Sequence, residues 1–266
     1  MQAHINGIGT EFSINGDAGP WVVMSHSLGC DISMWDRQMA SLTQRCRVLR
    51  YDTRGHGRSG ATAGPYSLDM LADDAVQLMA HLGIQRAHWV GFSMGGMIGQ
   101  TVALNHPTLL ESIVLADSTS AHTATPTSMW QERIQIAKAE GMAPLVEPAL
   151  SRWFTERFRI EHAEEVQKLG NIIRATSVDG WAGCCAAISE IETTDRLSEI
   201  ECPALVMVGE HDIGTPISAA LDMHRNLKNS VLAVISDAAH MTCIEQPSQF
   251  NRALAIFLDS FQSRKP

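Results

Sequence analysis

Short apolar runs alternate with amphipathic segments along most of the chain. Residues 21–25, 45–51 and 88–92 are apolar runs of the length expected for buried strands. Between the second and third runs, residues 67–82 carry apolar side chains at helical spacing, with Ser67 as the capping residue and a glycine as the stop. Strands alternating with helices predict an α/β fold with a mostly parallel sheet covered by helices on both faces.

The same pattern extends toward both ends of the chain. Two extended stretches in residues 3–14, separated by an Asn-Gly turn, predict an N-terminal hairpin. Further helices are predicted over residues 32–42, 94–105 and 249–261, and further strands over residues 112–116, 204–208 and 231–235.

The alternation breaks between residues 121 and 190. This segment is rich in helix formers and aromatic residues and contains no clear buried strand. We therefore predict a core of residues 1–120 and 191–266, with residues 121–190 as a helical cap inserted after the sixth core strand. A helical excursion elsewhere on the surface is the alternative.

Composition favours one large α/β domain that acts on small molecules. The chain has 266 residues, 45% of them hydrophobic, and its net charge of -9 argues against nucleic acid as a partner. No leader-like segment and no apolar run of bilayer length is present, so we expect a cytoplasmic protein with no membrane contact. The six cysteines lack CxxC spacing and are expected to be buried thiols. An anionic substrate would require a local cation.

The sequence GFSMGG, residues 91–96, favours a sharp turn from a strand into a helix. Gly91 and Gly95 flank Ser93 at the two positions where such a turn leaves no space for a side chain. The turn would expose the Ser93 hydroxyl and direct the Met94 amide to the same space, as one oxyanion donor. The loop after strand 21–25 offers the Leu28 amide as the other. An ordinary glycine-rich turn is the alternative.

A serine hydroxyl becomes a good nucleophile only when a base takes its proton and a third group orients that base. His240 follows the last predicted strand within a run of small residues, and is the predicted base. Asp212 follows another strand and precedes His240, which gives the chain order serine, aspartate, histidine. Asp117, also at a strand end, is the rival acid, whereas His26 is expected to order the oxyanion loop.

The motifs GFSMGG, YDTRGHGRSG, VGEHDIGTP and AAHMTCIEQP, in this order, resemble the α/β-hydrolase family across nearly the whole chain. Within it, HSLGCDISMWD, the RWF at 152–154 and GWAGCCAAISEIETTDRL resemble the 3-oxoadipate enol-lactonases of aromatic degradation. The resemblance implies an α/β-hydrolase fold, hydrolysis of a small anionic lactone to 3-oxoadipate, and Ser93, Asp212 and His240 as the catalytic triad. One departure is His-Ser-Leu-Gly where many members have His-Gly-x-x.

A substrate and product with carboxylates would need cationic and apolar contacts. The candidates are Arg133 and Arg152 in the predicted cap and Arg54 in the core, with Trp130 and Trp153 as apolar walls. No metal or organic cofactor is expected, and the oligomeric state is left open. A carboxylesterase or carbon-carbon bond hydrolase of the same fold is the alternative enzyme. A non-catalytic, hydrolase-like ligand receptor is the alternative outside enzymes.

Overall fold

The computed structural model describes residues 1–121 and 127–262 and contains one eight-stranded sheet. Its order is β1-β2-β4-β3-β5-β6-β7-β8. The first two strands pair antiparallel, β2 runs antiparallel to β4, and all other pairs are parallel. The strands are β1 (Gln2–Ile5), β2 (Ile8–Asn15), β3 (Trp21–Ser25), β4 (Arg47–Tyr51), β5 (Ala87–Phe92), β6 (Leu110–Ala116), β7 (Ala204–Gly209) and β8 (Ser230–Ile235).

Helices connect the parallel strands, as the sequence pattern predicts. They are α1 (Asp36–Leu42), α2 (Leu68–His81), α3 (Met94–Asn105), α4 (Thr127–Glu140), α5 (Ala143–Trp153), α6 (Glu156–Glu161), α7 (Ala163–Ala175), α8 (Val178–Ser189), α9 (Ile217–Asn226), α10 (Thr242–Glu245) and α11 (Pro247–Gln262). The single helix predicted over residues 32–42 is instead a 3-10 turn, Ile32–Trp35, followed by α1. Within residues 1–121 and 127–262, no helix is long and apolar enough to cross a membrane.

The strand at the centre of the sheet delivers residue 93 to the carboxyl edge. All six residues of β5 are buried, because parallel neighbours pair with both its edges and helices cover both faces. The carboxyl ends of β3, β6 and β7 lie at the same edge of the sheet, since these strands run parallel to β5. This arrangement is the predicted α/β-hydrolase architecture.

Helices α4 to α8 lie between β6 and β7 in the chain, where the cap is predicted. They pack above the carboxyl ends of the strands: an ideal Cβ on Gly29, in the loop after β3, would lie 3.7 Å from Trp153 and 3.6 Å from Ile173. The predicted cap also includes residues 122–126, which fall outside the described residues. Its boundaries stay a prediction.

Candidate active site

Ser93 sits in a strained turn between β5 and α3. Its φ of 52° and ψ of -113° place a non-glycine residue in a region that side chains disfavour. The flanking glycines are required by close contacts: a Cβ on Gly91 would lie 2.2 Å from the Gly95 carbonyl oxygen, and one on Gly95 would lie 2.0 Å from that of Ser25. The turn therefore depends on the glycine spacing seen in the sequence.

His240 and Asp212 form a buried hydrogen-bonded pair. The His240 Nδ1 atom lies 2.8 Å from the Asp212 Oδ2 atom. A carboxylate can only accept, so the imidazole carries its proton on Nδ1 and keeps Nε2 as the basic nitrogen. Phe92 packs edge-on against the imidazole at 5.6 Å between ring centroids, and the Trp153 ring lies 6.4 Å away on the cap side.

The Asp212 carboxylate is held ionised by its donors. The Thr215 hydroxyl donates to Oδ2 at 2.6 Å, and the Gly214 and Thr215 amides donate to Oδ1 at 2.8 and 3.0 Å. Burial by itself would raise the pKa of Asp212, but attraction to His240 and the hydrogen bonds from His240 and Thr215 outweigh it and lower the pKa. The carboxylate is thus fixed in charge as well as in position.

Asp117, the rival acid, serves different partners. Its Oδ1 atom accepts the Gly209 amide at 2.9 Å, and its Oδ2 atom accepts the Thr242 hydroxyl. Burial, followed by repulsion from Asp212, raises the pKa of Asp117 well above its usual range. This carboxyl therefore favours the protonated form, unlike that of Asp212.

The loop after β3 is ordered by His26, as predicted. The His26 Nδ1 atom donates to the Ser27 carbonyl oxygen at 2.7 Å, and its Nε2 atom accepts the Thr53 amide at 2.9 Å. Burial lowers the pKa of His26, although the nearby Asp52 acts in the opposite direction. The lowered pKa favours the neutral ring that these two hydrogen bonds require. Leu28 follows this fixed turn and lines the same cavity as Ser93. Met94 is the first residue of α3, where an amide has no acceptor within the helix.

A cavity of about 230 Å³ lies between the sheet edge and the helices above it. Ser27, Leu28, Ser93, Thr215 and His240 line its core side. The opposite side includes four of the predicted substrate contacts, Trp130, Arg133, Arg152 and Trp153, with the apolar side chains of Leu145, Ile173, Trp181 and Ile188. The described lining thus brings together Ser93, His240 and two arginines.

Both cap arginines are half-buried. Burial lowers the pKa of Arg152 to about 10, with repulsion from Arg133 adding to the effect. Burial also lowers the pKa of Arg133, whose guanidinium lies 4.9 Å from the centre of the Trp130 ring. Within residues 1–121 and 127–262, neither guanidinium has a carboxylate within 4.0 Å. At neutral pH the two groups are positive and repel each other, which favours an anion in the cavity that they both line.

Arg54, the third predicted cation, lies elsewhere. It makes a buried ion pair with Asp74, in which its Nε donates to Oδ2 at 2.7 Å and its Nη2 donates to Oδ1 at 2.6 Å. It belongs to the loop after β4 and is not among the residues that line the cavity. A charged side chain already paired in this way has no reason to bind a second anion, so we remove Arg54 from the substrate contacts.

Two groups of side chains in the described part of the chain each bring three possible metal ligands within 4.8 Å of one another. Asp117, Asp212 and His240 form one group, but hydrogen-bond donors from the protein already occupy its carboxylates. Glu210, His211 and Asp237 form the other, which is fully exposed. Surface acidic groups of this kind are common without a metal, so neither group is assigned one.

Sequence reasoning missed two groups that support the pair of His240 and Asp212. Thr215 bonds to Asp212 and approaches the His240 Nδ1 atom at 3.3 Å, and a hydroxyl three residues after an aspartate is a local signal for such a turn. Glu245 hydrogen-bonds to the loop of His240 and to residue 155. No local pattern announces the second contact, because its partners are 90 residues apart in the chain.

The chain belongs to the α/β-hydrolase family. The family model for the α/β-hydrolase fold matches residues 20–247, which confirms the resemblance seen in the motifs and the predicted fold. The chain is accordingly a hydrolase.

Proteins that are similar to this chain over most of its length include lactonases. The chain is 35% identical to 3-oxoadipate enol-lactonase 2 of Acinetobacter baylyi, over 91% of this chain and 90% of that one. The crystal structure of the enol-lactonase from Burkholderia xenovorans superimposes with a TM-score of 0.94 and 33% identity, over 97% of this chain and 100% of that one. A putative carbamate hydrolase from Caulobacter is 31% identical over 89% of this chain and 90% of its own length.

Proposed function

We propose that this hydrolase opens 3-oxoadipate enol-lactone to 3-oxoadipate during the breakdown of aromatic compounds, with Ser93, His240 and Asp212 as the catalytic triad. One observation carries the choice of substrate: two half-buried arginines, 133 and 152, share the cavity with Ser93 and have no carboxylate partner among the described residues. A small lactone with a carboxylate side chain supplies the missing negative charge. The lactonase relatives support the same substrate.

Ser93 begins the reaction by attacking the ring carbonyl carbon while the His240 Nε2 atom takes the hydroxyl proton. The Asp212 carboxylate stabilises the imidazolium that forms. The Leu28 and Met94 amides donate to the carbonyl oxygen as it becomes negative, a contribution of roughly 3 to 4 kcal/mol per donor in enzymes where it has been measured.

Collapse of this intermediate breaks the ring carbon-oxygen bond. His240 returns the proton to the leaving oxygen, which departs as an enol and tautomerises to the ketone. Water then attacks the acyl-enzyme and gives its proton to His240. The ester bond to Ser93 breaks, His240 returns this proton to the Ser93 oxygen, and the product leaves as the new carboxylic acid, which ionises in water. The nucleophile, the base, its orienting carboxylate and the two oxyanion donors are all groups of this chain, and water is the second reactant.

The experiment is a comparison of kcat/KM for the enol-lactone, for a neutral lactone of similar size, and for simple aryl esters and carbamates. We expect the enol-lactone to be preferred by about 10- to 100-fold over the neutral lactone, the range of a hydrogen bond to a charged group. Equal or better hydrolysis of the neutral compounds would instead indicate a general carboxylesterase. Carbamate hydrolysis as the fastest reaction would assign the chain the activity named for its Caulobacter relative.

A further inference from the structure

Glu245, the last residue of α10, joins two parts of the active site. It is 7% exposed, and both its carboxylate oxygens accept hydrogen bonds. The Ala239 amide, next to His240 in the chain, donates to Oε2 at 3.0 Å. The amide of Thr155 donates to Oε1 at 3.1 Å, and the Thr155 hydroxyl donates to the same oxygen. We call Glu245 and these three donors the Glu245 clamp.

The clamp spans from the base to the cap. Thr155 directly follows residues 152–154 and caps the N-terminus of α6, since its hydroxyl also accepts the Phe158 amide at 3.2 Å. A parallel contact reinforces the connection: the Met241 amide donates to the Trp153 carbonyl oxygen at 2.9 Å. The residues on the two sides of His240 are thereby bonded to the segment that places Arg152 and Trp153 in the cavity.

The chemistry of the clamp requires a carboxylate. Three N–H and O–H donors converge on two oxygens, and an ionised carboxylate is the side chain that accepts at both. A glutamine offers one oxygen and would direct its own NH₂ group at a donor. Its partners are neutral donors rather than a cation, so the carboxylate is positioned for hydrogen bonding and not for an ion pair.

We propose that Glu245 is a positioning residue that couples the cap's substrate contacts, Arg152 and Trp153, to the base His240. The roles of Arg152 and His240 rest on the proposed function. Because the clamp fixes the distance between the group that binds the substrate carboxylate and the group that moves the proton, it makes catalysis depend on a substrate that reaches both. Displacements of about 1 Å at such positions change rates by up to about 100-fold.

The test compares variants at residues 245, 155 and 156, and a combination with Arg152→Met, on two ester substrates. Glu245→Gln removes one of the two accepting oxygens of the clamp. Thr155→Val removes the hydroxyl that donates to Glu245 and accepts the Phe158 amide, and Thr155→Ser keeps both of these bonds. Glu156→Gln is the matched control, since it removes an exposed carboxylate from the neighbouring residue. The substrates are 4-nitrophenyl acetate and the 4-nitrophenyl monoester of adipic acid, which differ in the carboxylate. These esters report on the clamp whether or not the enol-lactone is a substrate.

We expect Thr155→Val to lower kcat/KM for the anionic ester by about tenfold and to change the neutral ester much less. Thr155→Ser and Glu156→Gln should behave like wild type, whereas Glu245→Gln should lower kcat for both esters and abolish the preference for the anionic one. In a protein that already carries Arg152→Met, adding Thr155→Val should cause little further loss of kcat/KM for the anionic ester, because the residue to which Thr155 is coupled is already gone.

Equal losses on both esters in Thr155→Val, or full additivity with Arg152→Met, would overturn the coupling and leave Glu245 as a support of the His240 loop alone. If Glu245→Gln fails to fold, the Thr155 series decides by itself. Wild-type activity on both esters without activity on the enol-lactone would reject the proposed substrate and leave this test intact.

Discussion

The two sides of the cavity differ in whether the charged groups near them have hydrogen-bond or ion-pair partners within the protein. On the core side, formed by Ser27, Leu28, Ser93, Thr215 and His240, the Asp212 carboxylate lies behind His240 and receives hydrogen bonds from His240, Gly214 and Thr215. We call this side the core wall and the side with Arg133 and Arg152 the cap wall. On the cap wall, Arg133 and Arg152 are half-buried, and among the described residues neither has a carboxylate within 4.0 Å. The charged group behind the core wall therefore has its partners within the protein. The two cations of the cap wall would gain theirs from an anionic substrate, as the proposed function requires.

We therefore expect the core wall to carry out the reaction and the cap wall to discriminate among substrates. A preorganised polar group lowers the barrier because it needs no rearrangement as charge develops. An uncompensated cation instead contributes only when a substrate brings the opposite charge, so it discriminates among substrates that share the same reactive group. Changes to the core wall should therefore affect all substrates, and changes to the cap wall should affect anionic ones.

The largest effect is expected from Ser93→Ala. Without the nucleophile, kcat should fall by about 10⁵- to 10⁶-fold for every substrate, as in other serine hydrolases that lose this residue. The exposed Ser151→Ala serves as control. Labelling with a fluorophosphonate, followed by mass spectrometry of the modified peptide, should find the adduct on Ser93 in the wild type. Retained turnover in Ser93→Ala, or an adduct elsewhere, would remove Ser93 from the mechanism.

The second largest effect is expected from Asp212→Asn, which should lower kcat by about 10³- to 10⁴-fold on anionic and neutral substrates alike. An amide in place of the carboxylate can hold the wrong tautomer of His240 and leaves the imidazolium without its counter-charge. Asp117→Asn is the matched control, because this second buried aspartate should tolerate the change with less than about a tenfold loss. A larger loss for Asp117→Asn than for Asp212→Asn would transfer the role of the acid to Asp117.

Smaller and substrate-dependent effects are expected on the cap wall. Arg133→Met and Arg152→Met keep the apolar part of each side chain and remove the charge. Each should lower kcat/KM for the enol-lactone by about 10- to 100-fold, the range of a hydrogen bond to a charged group, and leave a neutral lactone nearly unchanged.

The exposed Arg157→Met, which breaks only an ion pair with Glu161 on the same helix, controls for the loss of any cap cation. Equal losses on the neutral and anionic lactones in an arginine variant would exclude that residue as the carboxylate contact.

The core side of the active site could be predicted from the sequence, whereas the partners of the arginines and of Glu245 could not. The turn at Ser93 depends on neighbours two residues away, and Asp212 and His240 follow apolar runs that end at the same sheet edge, so their positions follow from local patterns. The fold was predictable for the same reason. Arg54 and Arg152 look alike in sequence, and only the fold shows that Asp74 pairs with the first while the second lines the cavity. Glu245 depends on Thr155, and no local pattern encodes a contact across 90 residues.

The smallest effect expected is on stability, at Asp117. Burial raises the pKa of Asp117 in the folded protein above the value of 3.8 that an ordinary carboxyl has. Between these two pKa values the folded state holds a proton that the unfolded state releases, so this residue makes the free energy of unfolding fall as the pH rises.

Asparagine resembles the protonated carboxyl and does not titrate. Asp117→Asn should therefore gain stability relative to the wild type as the pH is raised from about 4.5 to 7.5, by at most about 1.4 kcal/mol per pH unit. Urea unfolding at several pH values measures the difference directly, and contributions from titrating groups that do not interact with Asp117 cancel in it. A difference that stays constant or shrinks with pH would mean that Asp117 is ionised in the fold, and that the region behind His240 tolerates a second negative charge beside Asp212.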